Sequence, residues 1–288
     1  RRSSDLEGYL FIPIKGERFD GHFFIRDAFS TGAIATLTSK NIDAKMLTNK
    51  CIIKVGDTLK ALQDIAKYFL KKANIPVVAV TGSTGKTTTK EFIYNVLSQK
   101  YNVLKNEGNF NNHIGLPLTL LKIENSHDIV VLEMGMSNKG EIDTLANLTK
   151  PVVGVITNIG VSHIENLGSR EEIFKAKMEI ANYMDSNSVL IVNGDDDFLN
   201  KLKEIRSNFK TCFVGLNDDN NIYVTDIYSS DINEVRFSIN IENKAYDFKL
   251  NVPGVHNVYN ALLAIAVGLN FRIPIEDIIV GLNNYTGS

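Results

Sequence analysis

The residues best suited to chemistry lie in a glycine-bracketed turn, Thr81–Thr88, with the sequence TGSTGKTT. Glycines allow positive φ angles that point successive N–H groups at one anion, and a following helix N-terminus favours negative charge. Lys86 supplies a positive charge for phosphates, and the Thr87 hydroxyl can ligate Mg²⁺. The standard motif has Gly where this chain has Val80, but the apolar run before the turn and the helical pattern after it fit a phosphate loop. We therefore predict that ATP binds at Gly82, Ser83, Thr84, Gly85, Lys86, Thr87 and Thr88.

Two further side chains follow apolar runs that are typical of buried strands. Glu133 ends the run Ile129–Leu132, and His163 lies in the segment after Val152–Thr157. In sheets of parallel strands, ligands bind beyond the carboxyl ends of the strands, and a carboxylate there can hold nucleotide-bound Mg²⁺. We expect Glu133 to be such a ligand; the alternative is a solvated strand end. For His163 the alternative is an ordinary polar residue of a surface loop.

Lys177 lies within the apolar face of a predicted helix. Ser169 to Glu172 form a capping box that begins the helix, and at 100° per residue Lys177 falls among Ala176, Ile180 and Met184. A buried lysine is costly unless it is paired or neutral. We therefore consider two interpretations, a lysine that extends its amine to solvent, and a functional lysine with a lowered pKa. Lys175 falls outside the apolar face.

The elements that must position these residues form two predicted domains, residues 1–74 and 75–288. Short apolar runs and one helical period over Asp57–Lys71 predict a small N-terminal α/β lobe. From Val77 onward, apolar strands alternate with helices, which indicates a mainly parallel, doubly wound sheet. The predicted strands are 77–80, 129–134, 152–157 and 188–192, and the predicted helices are 88–99, 141–148, 170–184 and 196–205. An added antiparallel section (222–227, 235–241 and 246–252) and two helices, 257–269 and 275–283, follow.

Composition excludes some classes of protein. The 288 residues carry 31 Lys and Arg against 33 Asp and Glu, a net charge of −2, which argues against binding nucleic acid through bulk electrostatics. No apolar run has the length of a membrane span. Cys51 and Cys212 are far apart in apolar runs, so we expect two buried strand cysteines in a reducing, cytoplasmic compartment. A catalytic thiol is the alternative.

Several segments together resemble the Mur ligase family, and within it the branch that adds D-alanyl-D-alanine. They are TGSTGKTTTKE (81–91), GNFNNHIGLPLTLL (108–121), LEMGMSNKGE (132–141), TNIGVSHIENLGS (157–169), KAKMEI (175–180), GVHNVYN (254–260) and the N-terminal FIPIKGERFDGH (11–22). The resemblance extends over essentially the whole chain. It implies an N-terminal lobe for a UDP-linked substrate, a central ATP-binding domain and a cytoplasmic ligase of peptidoglycan precursor synthesis.

The resemblance also implies a reaction and roles for individual residues. ATP would phosphorylate the terminal carboxylate of a UDP-N-acetylmuramoyl tripeptide, and the amine of D-alanyl-D-alanine would attack the acyl phosphate. Thr87 and Glu133 match the family's first Mg²⁺ site, His163 its second, and Lys177 its carbamylated lysine. The nucleotide would also meet Asn257 and Asn260. Substrate would meet Asp20, Gly21, His22, Asn109, Asn111 and Asn112, although the three asparagines 109, 111 and 112 could instead stabilise their own turn.

The resemblance leaves some expectations and alternatives open. The family's C-terminal domain has no counterpart in the sequence, so we expect that residues 1–288 alone do not complete ligation, because closure assembles such sites. Another amide ligase of the Mur and folylpolyglutamate type, or a P-loop kinase or non-catalytic nucleotide-binding module, remains an alternative. The sequence does not distinguish diaminopimelate from lysine in the stem peptide, and it does not give the oligomeric state.

Overall fold

The computed structural model describes residues 7–16, 18–42, 50–231, 234–242 and 244–287. The chain divides into two compact units, Arg1–Phe69 and Leu70–Ser288. Residues 1–4, Glu17 of the N-terminal motif and Ser288 lie outside the described residues. The functional division predicted at residues 74 and 75 stays a prediction.

The first unit contains a three-stranded parallel sheet. Its strands are β1 (Leu10–Phe11), β2 (Ala35–Thr38) and β3 (Cys51–Lys54), in that order across the sheet. A 3₁₀ turn, Gly21–Phe24, leads into α1 (Ile25–Ser30), whose apolar side packs into a small core. The helix predicted from Asp57 is α2 (Thr58–Ala73), and the Asp57 carboxylate accepts a hydrogen bond from the Lys60 N–H (2.9 Å). Asp57 therefore caps this helix, as its position in the sequence predicts.

The second unit contains a nine-stranded sheet with the order β12-β11-β10-β9-β8-β7-β4-β6-β5. The strands are β4 (Val77–Thr81), β5 (Val103–Lys105), β6 (Ile129–Glu133), β7 (Val153–Ile156), β8 (Val189–Asn193), β9 (Lys210–Gly215), β10 (Ile222–Asp231), β11 (Glu234–Ile241) and β12 (Lys244–Leu250). Strands β4 to β10 pair in parallel, and β10, β11 and β12 pair antiparallel. This arrangement confirms the predicted fold class.

Helices cover both faces of this sheet. They are α3 (Lys86–Leu97), α4 (Gly115–Leu120), α5 (Glu141–Thr149), α6 (Ile164–Leu167), α7 (Arg170–Met178), α8 (Val255–Asn270) and α9 (Ile275–Asn283). Val78 and Val80 of β4 share one core with α3, α8 and α9. On the other face, the backbone of Gly154 in β7 lies against the side chains of Ile180 and Met184. Alternate residues of the near-continuous apolar strands therefore face opposite helical layers, as the sequence predicts.

Two predicted helices are shorter in the structure. The segment 196–205 forms only a 3₁₀ helix, Leu199–Glu204. Asp196 Oδ1 accepts bonds from the N–H groups of Phe198 and Leu199 and so caps the start of this segment. The helix predicted to reach residue 184 ends at Met178 and continues as a 3₁₀ turn. There the carboxylate of Glu179 accepts bonds from Gly140 N and Asp143 N, which caps α5.

The prediction that both cysteines are buried is wrong for Cys51. Both cysteines lie in strands, but Cys51 is exposed and Cys212 is half-buried. Cys51 belongs to β3, a strand at the border of its sheet, in which Ile53 and Lys54 are also exposed. Burial raises the pKa of the Cys212 thiol to about 11, so this thiol is protonated at neutral pH and is poorly suited to nucleophilic catalysis.

Sequence reasoning missed β5 and α4, which have only three and six residues. Segments this short show no clear period in the sequence. Within the described ranges, none of the helices has both the length and the hydropathy of a membrane-spanning segment.

Candidate functional site

A cavity of about 570 Å³, called here the central cavity, lies in the second unit beyond the carboxyl ends of β4, β6 and β7. These strands meet where the order of the sheet reverses, with β4 between β6 and β7, and open α/β sheets bind ligands at such a point. The cavity is lined by Gly82, Gly85, Lys86, Thr87, Thr88, Asn111, Asn112, Glu133, Gly135, Met136, Ser137, Glu141, His163 and Lys177.

The phosphate loop, residues 82–85, depends on its glycines for both conformation and space. Gly82 has φ 153° and Gly85 has φ 77°, backbone conformations that L side chains rarely adopt. A Cβ atom on Gly82 would lie 1.8 Å from Thr157 Oγ1, which donates a hydrogen bond to the Thr84 carbonyl (2.6 Å). The turn is therefore held tightly against the segment that follows β7.

Two residues of the phosphate loop, Ser83 and Thr84, face the segment after β7 instead of the central cavity. The Ser83 N–H donates to the Asn158 carbonyl (3.0 Å), and the Thr84 N–H donates to Asn158 Oδ1 (3.1 Å). Neither Ser83 nor Thr84 lines the central cavity, so the groups that can meet a phosphate lie at Gly82 and at Gly85–Thr88, the start of α3. Asn158 was missed in the sequence, although its place directly after a strand was a usable signal.

Lys86 lies over the phosphate loop. Its Nζ donates to the carbonyl oxygens of Gly82 (2.9 Å) and Ser83 (3.3 Å). Burial lowers the pKa of Lys86, and the nearby Glu133 carboxylate partly offsets this effect. A γ-phosphate entering the cavity could replace these carbonyl partners with a charged one.

Glu133 ends β6 and is only 3% exposed. The Thr87 hydroxyl donates to Glu133 Oε2 (2.8 Å), and the Asn111 amide donates to Oε1 (2.9 Å). Because the Thr87 proton is directed at the carboxylate, the oxygen lone pairs remain for a cation. Both donors are uncharged, and the set of hard oxygen atoms suits Mg²⁺. Thr87 and Glu133 are therefore brought together as predicted.

The three asparagines of the predicted substrate loop, 109, 111 and 112, differ in their surroundings. Asn111 and Asn112 line the central cavity, whereas Asn109 is exposed and is not part of the lining. Asn112 Oδ1 accepts bonds from the N–H groups of Ile114 (3.0 Å) and Gly115 (2.9 Å) and so stabilises the start of α4. For Asn112 the self-stabilised turn is thus present, while the Asn111 amide is directed at Glu133 instead of outward.

Lys177 is 1% exposed, on the buried face of α7 as predicted. Burial, and secondarily the charge of Lys86, lower the pKa of Lys177 to about 7. A large fraction of this amine is therefore neutral near pH 7, and a neutral amine can react with CO₂. His163 lines the same cavity; it is exposed and precedes α6 with a left-handed φ of 65°.

Asn257 and Asn260 lie behind the phosphate loop and do not line the cavity. Both are buried near the start of α8. Asn260 Oδ1 accepts a bond from the Thr89 hydroxyl (3.1 Å), and Asn260 Nδ2 donates to Asn257 Oδ1 (3.1 Å). A Cβ on Gly85 would lie 2.5 Å from Asn260 Oδ1. In this structure the two amides support the turn.

Glu141, which opens α5, is a cavity residue that sequence reasoning treated only as a helix start. Its carboxylate accepts bonds from Ser137 N (2.7 Å) and Asn138 Nδ2 (3.0 Å). Burial acts to raise the pKa of Glu141, but these hydrogen bonds bring it below its ordinary value. The cavity thus contains a further carboxylate besides Glu133.

No group of three His, Cys, Asp or Glu side chains in the described part of the chain could hold a metal ion. A Mg²⁺ ion would therefore need oxygen atoms of a bound phosphate group or of water in addition to those of Thr87 and Glu133. The amine of Lys177 does not suit Mg²⁺, whereas its carbamate would supply an oxygen donor.

A second cavity, the N-terminal cleft, lies within the first unit and contains two of the three predicted substrate residues there. It has a volume of about 380 Å³ and includes Asp20, His22 and Lys40 in its lining. Lys40 Nζ lies 2.6 Å from Asp20 Oδ2, and His22 bonds to Asp20 Oδ1. The bond from Lys40 and those from His22 hold the pKa of Asp20 well below its usual range. Gly21 is needed for close approach, since a Cβ would lie 2.7 Å from Ile14 N.

Comparison with known families gives a match to the Mur ligase middle domain over residues 80–268. The chain is 47% identical over 275 residues to the UDP-N-acetylmuramoyl-tripeptide–D-alanyl-D-alanine ligase of Bacillus subtilis, covering 95% of this chain and 58% of that protein. For the ligase of the same name from Escherichia coli, the identity is 35%, with 96% and 60% covered. The chain thus spans about three fifths of the length of these curated relatives.

Solved structures agree with these matches. MurF from Acinetobacter baumannii superposes with a TM-score of 0.92 at 32% identity, covering 100% of this chain and 62% of that one. The MurF ligase from Thermotoga maritima in complex with ADP gives 0.88 at 30% identity, with 100% and 65% covered.

Proposed function

The chain belongs to the Mur ligase family, and on this basis we propose that it carries the ATP-dependent, carboxylate-activating centre of a peptidoglycan-precursor ligase. Its substrates would be a UDP-N-acetylmuramoyl tripeptide and D-alanyl-D-alanine, the compounds in the names of its relatives. The observation that carries the proposal is the contact between Thr87 and Glu133 (2.8 Å) in a cavity shared with Lys86 and the buried Lys177.

The reaction would proceed in two steps because a free carboxylate is a poor electrophile. First, a carboxylate oxygen of the tripeptide bonds to the γ-phosphorus of ATP, and ADP leaves with the bridging oxygen. The amine of D-alanyl-D-alanine then attacks the acyl carbon, loses a proton, and expels phosphate from a tetrahedral intermediate. Lys86, at the phosphate loop, would offset the repulsion between the carboxylate and the γ-phosphate.

Four residues of the central cavity would serve Mg²⁺. Thr87 and Glu133 would hold a first ion, which supplies neutralisation of phosphate charge when it is bound. His163 and a carbamylated Lys177 would serve a second; the lowered pKa of Lys177 supports this role, because carbamylation requires the neutral amine. A simple nucleotide-binding module would have no need of a lysine that is 1% exposed beside the site.

The remaining predicted residues would bind the larger parts of the substrates. Asp20 and His22 of the N-terminal cleft, with Gly21 between them, would meet the UDP-linked substrate, and Lys40 would add a positive charge. Asn109 and Asn112, together with Asn111 of the cavity lining, would face the muramoyl peptide. Asn257 and Asn260 would act on the nucleotide through the phosphate loop, since their amides support that turn. A cytoplasmic location stays a prediction.

A panel of amines tests the proposed function in the complete gene product. ADP release is measured with ATP, Mg²⁺ and the UDP-linked tripeptide, and D-alanyl-D-alanine is compared with single amino acids, including a diamino acid and glutamate. We expect D-alanyl-D-alanine to be the one productive amine. Turnover with glutamate or a diamino acid instead would identify a different amide ligase. ATP consumption that needs no amine would indicate a kinase or ATPase.

A further inference from the structure

Asn106 is the buried residue that links the carboxylate strand to the asparagine loop. It follows β5 directly and is 0% exposed. Its Oδ1 accepts a hydrogen bond from the Glu133 N–H (2.8 Å), and its Nδ2 donates to the carbonyl oxygens of Glu133 and Phe110, both at 3.0 Å. The amide nitrogen thus donates two hydrogen bonds and the amide oxygen accepts one. Buried polar groups of this kind are usually hydrogen-bonded, because an unpaired one is costly.

The side chain of Asn106 takes the place of a missing strand residue. The β5–β6 ladder ends with Lys105 opposite Val131, and the backbone of β5 does not continue to Glu133. A carboxamide has the same donor and acceptor as a peptide group, so the Asn106 amide pairs with both backbone groups of Glu133 as a neighbouring strand would. This pairing fixes the backbone from which the Glu133 carboxylate extends into the cavity.

The same amide also positions the second donor to that carboxylate. Its bond to Phe110 holds the residue directly before Asn111, whose side chain donates to Glu133 Oε1 (2.9 Å). The Asn111 carbonyl in turn accepts a bond from the Gly135 N–H (2.9 Å). The Asn106 side chain thus fixes both the backbone of Glu133 and Phe110, the residue before Asn111.

Helix α3 also belongs to the network of hydrogen bonds around Glu133. The buried Lys90 Nζ donates to the Asn106 carbonyl (2.9 Å), and Thr87, one turn earlier in the same helix, donates to the Glu133 carboxylate. The positions of Thr87, Glu133 and Asn111 are therefore mutually dependent through Asn106. Groups that orient metal ligands in this way tune metal affinity without touching the metal.

We infer that Asn106 is a positioning residue that sets the affinity of the Thr87–Glu133 pair for a divalent cation, an inference that rests on the proposed metal–nucleotide site. Asn106→Ala removes all three bonds of the amide, whereas Asn106→Thr puts a single hydroxyl in place of the amide, which can make one of these bonds, and is the milder change. Asn102→Ala is the matched control, because Asn102 precedes the same strand and its exposed amide binds the Ser126 carbonyl (3.0 Å) away from the cavity.

The test uses Mn²⁺ as the probe with the complete gene product bound to ADP. The EPR signal of free Mn²⁺ gives the dissociation constant and the number of sites, and a parallel titration of ADP alone gives the background. We expect Asn106→Ala to raise the dissociation constant about 10- to 100-fold, the range usual for residues that orient metal ligands. Asn106→Thr should raise it less, and Asn102→Ala should leave it within about twofold of the wild type.

Three results would count against the inference, and they differ in what else they affect. If both Asn106 variants bind Mn²⁺ with the wild-type constant, the inference fails and the proposed function stands. If the variants lose sites while the remaining sites keep the wild-type constant, Asn106 only maintains the fold and the inference also fails. If the wild type binds Mn²⁺ no more tightly than ADP alone does, the proposed metal site itself is wrong.

Discussion

Asp20 and Glu133 are both carboxylates in cavities, but their partners have opposite character. Asp20, in the N-terminal cleft, is 13% exposed and bonds to Lys40 and His22. Glu133, in the central cavity, is 3% exposed, and its carboxylate accepts bonds from two uncharged donors, Thr87 and Asn111. The charge of Asp20 is already matched by a cation, whereas hydroxyl and amide donors leave the charge of Glu133 available to one. The first carboxylate therefore holds a cleft together, and the second is suited to attract a metal.

Removing the charge of Glu133 is the strongest challenge to this comparison. Glu133→Gln retains the shape of the side chain but loses its negative charge, so metal-dependent turnover should fall about 100- to 1,000-fold, the size usual for one lost electrostatic contact in a preorganised site. ADP release by the complete gene product gives the rate, and a thermal melt checks that the variant is folded. A folded variant with more than half of the wild-type rate would contradict the role of Glu133.

A pH series on Lys177 tests whether the central cavity can hold a buried charge without a partner. Burial lowers the pKa of Lys177 from an ordinary 10.5 to about 7. Between these values the unfolded chain binds the proton and the folded protein does not, so stability rises with pH. The cost of burial is fully present below pH 7 and is relieved by about pH 10.5. Wild type should therefore gain about 3 kcal/mol relative to Lys177→Met between pH 7 and 10, since a tenfold change in proton binding is worth about 1.4 kcal/mol.

Urea unfolding in CO₂-free buffer measures this difference. Lys175→Met is the control, because Lys175 is exposed and paired with Glu172, and its stability profile should remain parallel to that of the wild type. Parallel profiles for wild type and Lys177→Met would show that the buried amine does not titrate as the structure indicates.

Neutralising Asp20 should have the smallest effect, and it should change the KM for the UDP-linked substrate instead of the turnover rate. Asp20→Asn removes the charged partner of Lys40 and His22 in the N-terminal cleft, so the KM for the UDP-linked substrate should rise about tenfold, as expected for one lost charge-assisted contact. Turnover at saturation and the Mg²⁺ requirement should change little. A large fall in turnover with an unchanged KM would place Asp20 in the chemistry and undo the contrast with Glu133.

The features that were predictable from sequence are those fixed by a few neighbouring residues. The phosphate loop needs Gly82 and Gly85 for its positive φ angles, and Glu133 follows an apolar strand whose end defines the cavity. Lys177 was located by helical period alone. These signals are local, so one sequence is enough to read them.

The hydrogen-bond partners of polar side chains were less predictable, because these partners lie far away in the sequence. Asn111 was expected to face a peptide, but its amide reaches Glu133, 22 positions away in the chain. Asn106 was missed because no local pattern distinguishes an asparagine that pairs with a strand 27 positions away from one in an exposed turn. For Asn158 the place after a strand was a usable signal, but its partner Thr84, in another loop, could not be read from the local sequence.

The close approach of Gly135 to Asn111 has a consequence for how such a sequence can change over evolutionary time. A Cβ atom at position 135 would lie 2.9 Å from Asn111 Cγ, so alanine there would require a shift of the amide that donates to Glu133. The cost of a substitution at either position thus depends on the residue present at the other. A larger residue at position 135 therefore costs less in a background that has already lost the Asn111 side chain, which makes the order of the two changes matter.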